Sequence, residues 1–324
     1  MKRLAVVIVN YRIAKLARAC VESVLDRVDP ATVSFKAFVV DNDSQDGSFE
    51  ILSTAFEDRS EVEVIRAPRN GGYAAGNNVV LRKLFESPDD YDYVWLLNPD
   101  TAVVTRVDEQ ALAFLERPRI AALGARLEYV DTTPQTSVFR FPSPFSEFMQ
   151  AANLSILNRV FARIRVVQPI PEERTRADWL AGASVVFRMD ALRETGLFDE
   201  TFFLYYEEVD LFKRLAEAGW ESWHCPEMRV IHHVGASTGI SNERRGVGDM
   251  PEYWYASRSH YFQKRYGLFG ALGVDLCWLL GRSLFLLTRF VLRRRDTMVV
   301  KYARIRAHHP MTRSSRAPGS PQDG

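Results

Sequence analysis

The sequence predicts an α/β fold: a mostly parallel central sheet flanked by helices, with a helical extension toward the C-terminus. Two observations carry this. Short apolar runs rich in β-branched residues alternate with stretches of helical spacing up to residue 97, the pattern of βαβ units. Polar clusters then follow the apolar runs, at Asn10-Tyr11, residues 41–46, residues 70–78 and residues 98–101. In open parallel sheets ligands bind beyond the carboxyl ends of the strands. Four clusters placed there independently predict one binding edge. The 324 residues, 47% hydrophobic and 26% charged, are enough for one large α/β domain or two fused lobes.

Residues 4–9 form a continuous apolar run that reads as a strand buried on both faces. Met1-Lys-Arg ahead of it gives a superficial likeness to a signal peptide. The run is only six residues long, ends in Asn10-Tyr11-Arg12 and has no small-residue cleavage site, so a buried first strand is expected and export by that route is not. Residues 14–25 carry helical spacing through Leu16, Cys20 and Val24. A second strand over 35–40 ends at Asp41, followed by a helix over 48–56 and a third strand over 62–65. A helix over 76–85 and a strand over 93–97 complete the alternation. Beyond about residue 105 it weakens. Residues 132–144 hold three prolines and predict a mobile loop over the site, while 153–171 are basic and apolar without clear register. Residues 179–187 read as another strand and 209–218 as a helix closed by Gly219. Residues 312–324, rich in Ser, Pro and Arg, predict disorder.

Net charge is +1, unevenly spread: residues 289–324 hold nine Arg and Lys against two Asp, which leaves −6 on the first 288. An acidic body with a basic tail points the tail at an anionic surface. The tail follows the most apolar segment of the chain, which favours a lipid surface over nucleic acid. Cys20, Cys225 and Cys277 lie far apart without CxxC spacing, arguing for reduced thiols in a cytoplasmic setting and against a structural zinc site.

The chemistry concentrates in Tyr205-Tyr-Glu-Glu-Val-Asp210, where three carboxylates fall within four positions inside an apolar run. Buried carboxylates need a cation, a proton or an Arg. Asp100 follows an apolar strand in Leu96-Leu-Asn-Pro-Asp100, and His232-His233 follow another. Carboxylates with an imidazole suit a hard divalent ion that also holds phosphates. Each residue has a plain alternative: Asp100 as a helix cap, His232 as a satisfied core histidine. Asp41 at a strand tip suits the N3–H of a pyrimidine, whereas Asp43, Ser44 and Asp46 suit an Asx turn and a helix cap. Residues 70–78, Asn-Gly-Gly-Tyr-Ala-Ala-Gly-Asn-Asn, form a glycine-rich loop opening a helix and would bring backbone N–H groups toward a phosphate. They match neither a Rossmann fingerprint nor a Walker loop.

The segments VVIVNY, VVDNDSQDGS, NGGYAAGNN, WLLNPDT, WLAGASVVFR, GLFDETFFLYYEEVDLFKR and HHVGAST, collinear over residues 4–240, closely resemble family 2 glycosyltransferases of GT-A fold. The likeness is to the bacterial rhamnosyltransferase branch. The resemblance implies that residues 1–104 form the nucleotide-sugar-binding half and 105–245 the acceptor-binding and catalytic half of one domain. It implies Glu208 as catalytic base, in the place of the second acid of a Glu-Asp pair, with Glu207 and Asp210 in support. Asp41 would contact the nucleotide base, and Asn10, Tyr11, Asp43, Gly72, Asn77, Asn98 and Asp100 would join it at the nucleotide-sugar. Asp100, the one carboxylate of the reduced motif Asn98-Pro99-Asp100, would hold Mg²⁺ or Mn²⁺ with His232. The implied reaction is inverting transfer of a sugar, first of all rhamnose from dTDP-rhamnose, to a polyprenyl-diphosphate-linked or glycan acceptor in cell-surface glycan synthesis. One base and no covalent nucleophile mean single displacement. Aromatic surroundings at Tyr205 and Tyr206 would raise the base's proton affinity, and Asp210 would orient the site or pair with Arg214, one helical turn on. Galactofuranosyl, glucosyl or N-acetylhexosaminyl transfer is the alternative within the family. A nucleotidyltransferase, the alternative outside it, would show a Gly-rich, Lys/Arg-containing signature near the first strand, absent from residues 10–16.

Residues 268–292 are strongly apolar yet contain Asp275, Arg282 and Arg289 at a spacing of seven, one face of a helix. That pattern suits an interfacial helix, peripheral to the inner face of the cell membrane, followed by Arg293-Arg-Arg295, Lys301, Arg304 and Arg306 for anionic headgroups. The extension over 246–310 would thus be membrane-associating and 311–324 a tail. Packing on the catalytic domain or on a second copy in a homo-oligomer, and a single membrane span, are the alternatives.

Overall fold

The computed structural model describes residues 1–87, 90–234 and 250–291. Three βαβ steps open the chain: β1 (Lys2–Asn10), α1 (Ala14–Arg27), β2 (Val33–Asp41), α2 (Ser48–Ala55), β3 (Val62–Arg66), α3 (Gly72–Glu86) and β4 (Tyr93–Leu97). The next elements are β5 (Thr101–Val103), α4 (Glu109–Ala113), β6 (Ile120–Glu128), β7 (Val138–Phe139), α5 (Pro144–Ala152) and α6 (Ser155–Val160). Then come β8 (Thr175–Ala177), β9 (Trp179–Leu180), β10 (Ser184–Arg188), α7 (Met189–Thr195), α8 (Glu207–Glu217), β11 (Glu221–His232) and α9 (Glu252–Val291).

The sheet runs β3-β2-β1-β4-β10-β6-β11-β5, with β8 on β11. From β3 to β4 every pairing is parallel. Beyond β4 the sheet is mixed: β10 is antiparallel to both neighbours, and β11 runs parallel to β6 but antiparallel to β5 and β8. That half is where the strand–helix alternation fades in the sequence. Leu4–Ile8 and Val94–Trp95 are wholly buried, as two covered faces require. α1 buries Ala17, Cys20, Val21 and Val24 at helical spacing, and each fully buried branched side chain is worth about 1.5–3 kcal/mol.

The chain divides into two compact units. The first holds Met1–Phe139, Pro169–Phe203 and the stretch from Glu207 through β11; the second holds Arg140–Gln168, Leu204–Tyr206 and α9. Residues 140–168 therefore group with the C-terminal helix, although the sequence reading joined them to the catalytic half. Three other local expectations differ. The strand expected over 179–187 is two, β9 and β10, interrupted at Ala181–Ala183. Residues 132–144 are no open loop, because Gln135, Ser137 and Val138 are buried and Phe139 stacks on Trp179 at 4.0 Å. Within the second unit, α9 is two helices joined at Gly267 (φ 67°). Its charged stripe faces inward rather than out: Arg258 donates to Asp275 at 2.7 Å, and the guanidinium groups of Arg282 and Arg289 lie 4.7 and 5.7 Å from the buried Phe285 ring. The opposite face, with Phe269, Leu276, Leu280, Leu287 and Phe290, is exposed and, apart from Ser283, apolar. Residues 235–238, the basic residues from Arg293 to Arg306 and the expected disordered tail lie outside the described residues.

Candidate active site

The ends of β1 and β2 meet in register at Asn10 and Asp41. Asn10 Nδ2 donates to Asp41 Oδ1 at 2.9 Å, Ser44 Oγ donates to the same oxygen at 2.6 Å, and Ser44 N reaches Oδ2 at 3.2 Å. Asp41 is 2% exposed and Asn10 fully buried, so Asn10 acts as a bracket that fixes the Asp41 carboxylate. Tyr11 is half-buried beneath the Arg12 guanidinium, 5.1 Å from its ring. Asp43 takes a left-handed turn conformation (φ 56°) and accepts from Gln45 Nε2 at 3.2 Å, the turn chemistry expected of it. Asn42 Nδ2 ties this turn to the glycine-rich loop through Asn70 Oδ1 (3.0 Å) and Gly72 O (3.1 Å).

In that loop the glycine serves the chain itself. Gly72 has φ 80°, and a Cβ there would stand 1.8 Å from Phe203 O. The N–H groups expected to face a phosphate are engaged: Gly72 N donates to Asn70 Oδ1 at 3.1 Å and Tyr73 N to Phe203 O at 2.9 Å. Asn77, also expected at the nucleotide-sugar, is 1% exposed and donates to Tyr73 O at 2.9 Å. Gly72 and Tyr73 N therefore pack against Phe203, while Asn77 is spent within α3.

α8 opens with the acid pair. Glu207 is 3% exposed, and the Oε2 atoms of Glu207 and Glu208 are enclosed without a hydrogen-bond partner among the described residues. Burial pushes both carboxyls above the usual range; Glu207 rises most, because the neighbouring Glu208 charge and hydrogen bond add to it. The two carboxyls are neighbours in this enclosed space, so each bears on the proton affinity of the other. Burial and then the Glu208 and Glu207 charges raise the Tyr73 phenol too. Tyr73 donates to Gly182 O at 2.9 Å, and a Cβ on Gly182 would lie 3.7 Å from Tyr73 Oη and 3.8 Å from Glu208 Oε1. Tyr73, Gly182 and Glu208 thus form one wall. The aromatic group expected beside the acids was Tyr205 or Tyr206; in the second unit those rings pack on Tyr253 and on Trp254, Tyr261 and Phe262. Asp210 accepts from Arg214 Nε at 3.0 Å, as its i,i+4 spacing predicts. Arg214 also donates to the carbonyls of Thr195, Gly196 and Leu197, so the pair braces α8 against the end of α7.

Asn98-Pro99-Asp100 is the turn between β4 and β5. Its main chain is pinned by Asn98 N to Ala183 O (2.9 Å) and by Thr101 Oγ1 to Asn98 O (2.7 Å). His232, at the end of β11, is in register with Thr101 and brings Nε2 within 3.5 Å of both Asp100 Oδ1 and Asn98 Nδ2. Its Nδ1 lies 3.1 Å from Gln135 Oε1. Gln135 Nε2 spends both hydrogens on Glu128 O (3.0 Å) and His232 O (2.7 Å), which leaves its oxygen to accept. Nδ1 of His232 therefore carries a hydrogen, and in the neutral ring Nε2 turns a lone pair toward the Asp100 carboxylate. Two acceptors facing each other at 3.5 Å fit a shared cation. Among the described residues no third His, Cys, Asp or Glu joins them, so phosphate oxygens and water would complete a Mg²⁺ or Mn²⁺ shell. His233 is exposed, in keeping with the preference for His232. Tyr73 and Gly182 stood in recognised motifs without a role; Gln135 carried no signal.

The profile of "Glycosyltransferase like family 2" matches residues 2–247. N-acetylglucosaminyl-diphospho-decaprenol L-rhamnosyltransferase of Mycobacterium tuberculosis is 30% identical over 213 residues, covering 62% of this chain and 67% of that one. Rhamnosyltransferase WbbL of Escherichia coli is 28% identical over 173 residues, covering 50% of this chain and 61% of that protein. Among solved structures, the mannosyltransferase PcManGT of Pyrobaculum calidifontis with GDP-Man and Mn²⁺ aligns at TM-score 0.55 and 14% identity, covering 96% of this chain and 86% of its own. TarS of S. aureus, residues 1–349, aligns at 0.51 and 13%, covering 90% and 72%, and shares the fold. With three quarters of its length matched to the family and its acids and turns set at the strand ends of the sheet, the chain belongs to glycosyltransferase family 2 and is a glycosyltransferase.

Proposed function

We propose that the enzyme is an inverting, metal-assisted rhamnosyltransferase that moves rhamnose from dTDP-rhamnose to a lipid-linked or polysaccharide acceptor at the cytoplasmic face of the cell membrane. The observation that carries the mechanism is the pair of enclosed carboxyls opening α8, both raised by burial, with Glu208 Oε1 beside the wall made by Tyr73 and Gly182. Glu208 takes the proton of the attacking hydroxyl, and its raised proton affinity suits that transfer near neutral pH. Glu207 stays neutral and adds no second charge or nucleophile, which favours single displacement and inversion. The braced Asp41 carboxylate accepts the N3–H of a thymine through the capacity left on Oδ2. Asp100 and His232 hold the divalent ion, with Gln135 fixing the histidine; when bound, the ion neutralises charge growing on the leaving diphosphate.

Rhamnose as the sugar rests on the names of the two rhamnosyltransferase relatives, and a polyprenyl diphosphate as the acceptor carrier on the diphospho-decaprenol in the name of the mycobacterial one. Attachment to the membrane rests on α9. Its apolar outer face has no charged group pointing into it, and the next basic residues follow at Arg293-Arg-Arg295. The test is a panel of nucleotide-sugars with Mn²⁺, read by thermal stabilisation and then by transfer to a short polyprenyl-diphosphate-linked sugar. dTDP-rhamnose should stabilise most and be consumed. Stronger stabilisation and turnover with a UDP- or GDP-sugar would move the donor assignment to that sugar.

A further inference from the structure

Residues 153–168, Asn-Leu-Ser-Ile-Leu-Asn-Arg-Val-Phe-Ala-Arg-Ile-Arg-Val-Val-Gln, have no role in the site described above. They form α6 and a 3₁₀ turn, Ala162–Ile164, neither of which buries a single residue. Ile156 and Val160 are 71% and 68% exposed, and Ile164 and Val167 are exposed as well. A six-residue helix without a buried face is marginal in water, since nucleation is costly and tertiary packing supplies most helical stability. The segment is nonetheless anchored at its base: Phe161 sits edge-on to Phe145 at 5.3 Å, and Arg140 N donates to Val166 O at 2.8 Å. Its charges are Arg159, Arg163 and Arg165, all exposed, with no acid between Glu147 and Glu172. Among the described residues none of the three arginines has an ion-pair partner, and Glu147 is spent on the buried Arg258.

We propose that residues 153–168 are a second membrane-contacting element, a short aliphatic and cationic segment that lies in the headgroup layer of an anionic bilayer. Aliphatic tips beside unpaired arginines, with no acid among them, complement a surface that is apolar below and phosphate-rich above. Ile156, Val160, Ile164 and Val167 enter the acyl boundary while the arginine stems snorkel to phosphates. The same compact unit carries the apolar outer face of α9, so two elements of one unit offer the same chemistry. The inference rests on the membrane part of the proposed function and adds to it a segment that α9 alone does not require.

The test is co-sedimentation of the full chain with phosphatidylglycerol/phosphatidylcholine vesicles and with phosphatidylcholine alone. Two variants are compared with wild type: Ile156→Asp with Val160→Asp, and Arg159→Ser with Arg163→Ser and Arg165→Ser. All five side chains are exposed, so melting temperature and nucleotide-sugar binding should stay at wild-type values. Each variant should bind the anionic vesicles at least about tenfold more weakly, in line with the loss of several interfacial contacts. Amide hydrogen exchange over residues 154–167 should slow with anionic vesicles and not with neutral ones. Unchanged vesicle affinity in both variants, or no exchange protection, overturns the proposal while leaving docking through α9 standing. Loss of a dimer in either variant with vesicle binding intact also overturns it, and assigns the surface to a second copy. A wild-type chain that binds neither vesicle overturns both membrane assignments but not sugar transfer, which the soluble assay reads separately.

Discussion

Glu207 and Glu208 lie in an enclosed space that raises both carboxyls, with measurable consequences. Glu208→Gln keeps the shape of the side chain but cannot take the acceptor's proton; transfer should fall at least about a hundredfold with donor affinity kept. A near wild-type rate would move the base to Glu207 or Asp210. Because burial raises Glu208, the acid limb of kcat/KM should lie above the ordinary glutamate value of about 4.3. The hydrogen bond from Glu207 pulls Glu208 down, so Glu207→Ala should move that limb to higher pH, while Glu207→Gln, which still donates, should leave it close to wild type. A limb that moves down in Glu207→Ala would contradict a lowering influence of Glu207 on Glu208. The stability sign is the reverse of the usual salt-bridged carboxylate. With folded pKa values raised, the unfolded chain releases its protons first as pH climbs past the ordinary value, so the fold loses stability across that window. Glu207→Gln should therefore raise the melting temperature at neutral pH. At the other end of the site, Asp100→Ala should abolish most Mn²⁺-dependent donor binding in calorimetric titration, and His232→Ala should weaken it less, because it removes a neutral ligand and leaves the charge. Equal affinity in wild type and Asp100→Ala would take Asp100 out of the metal site. Asp100 and His232 stand out as candidates in the sequence because an acid or imidazole following an apolar strand is costly to bury unpaired, and Glu208 because it lies in an acidic cluster within an apolar run that resembles a family motif. Gln135 was not, since an amide in a proline-rich stretch shows its value only once both its hydrogens are seen bound to carbonyls.

Elements repeat this division. Strands β1 to β4 and their helices were legible because residues buried on two faces of a parallel sheet leave continuous apolar runs. α3 begins at Gly72, four residues ahead of the expected start, at the point where Gly72 takes φ 80° and passes close to Phe203. The 179–187 run reads as one strand, yet the chain leaves the sheet between Leu180 and Ser184, where Gly182 lies beside Tyr73 and Glu208. In α9 the spacing of seven identified a shared face correctly; it held no information on which way that face points. The direction is set by Arg258, which lies before the break at Gly267 and reaches forward to Asp275 while donating to Glu147 of α5 at 2.6 and 2.8 Å. Arg258 is 3% exposed and Glu147 5%, so one positive charge is held inside the unit by two carboxylates. Close packing accompanies it: a Cβ on Gly281 would come within 2.3 Å of Phe148 O. Removing one partner of a buried ion pair costs about 3–5 kcal/mol because the other is left uncompensated. Glu147→Ala should lose an amount in that range in denaturant unfolding of the full chain, and a loss under about 1 kcal/mol would show that Asp275 alone satisfies Arg258.

For the whole molecule, the uneven charge is the feature that connects sequence to location. The first 288 residues sum to −6, and the last 36 hold a surplus of seven positive charges, so an anionic bilayer repels the body and attracts the end. The apolar outer face of α9 leads directly into Arg293-Arg-Arg295. Apolar burial gives such docking its strength, and each Arg or Lys near an anionic surface adds about 1 kcal/mol within a Debye length of about 8 Å at physiological salt. Replacing Arg293, Arg294 and Arg295 by Ser removes about 3 kcal/mol of that attraction at low salt, on the order of a hundredfold in affinity. The variant should leave anionic vesicles in co-sedimentation while its rate on a short soluble acceptor stays at the wild-type value. Wild-type binding should weaken steadily along a salt series and the variant's much less, because its remaining attachment is apolar. Binding that ignores salt and yields only to detergent would mean that α9 inserts into or spans the bilayer, and the peripheral reading would fall.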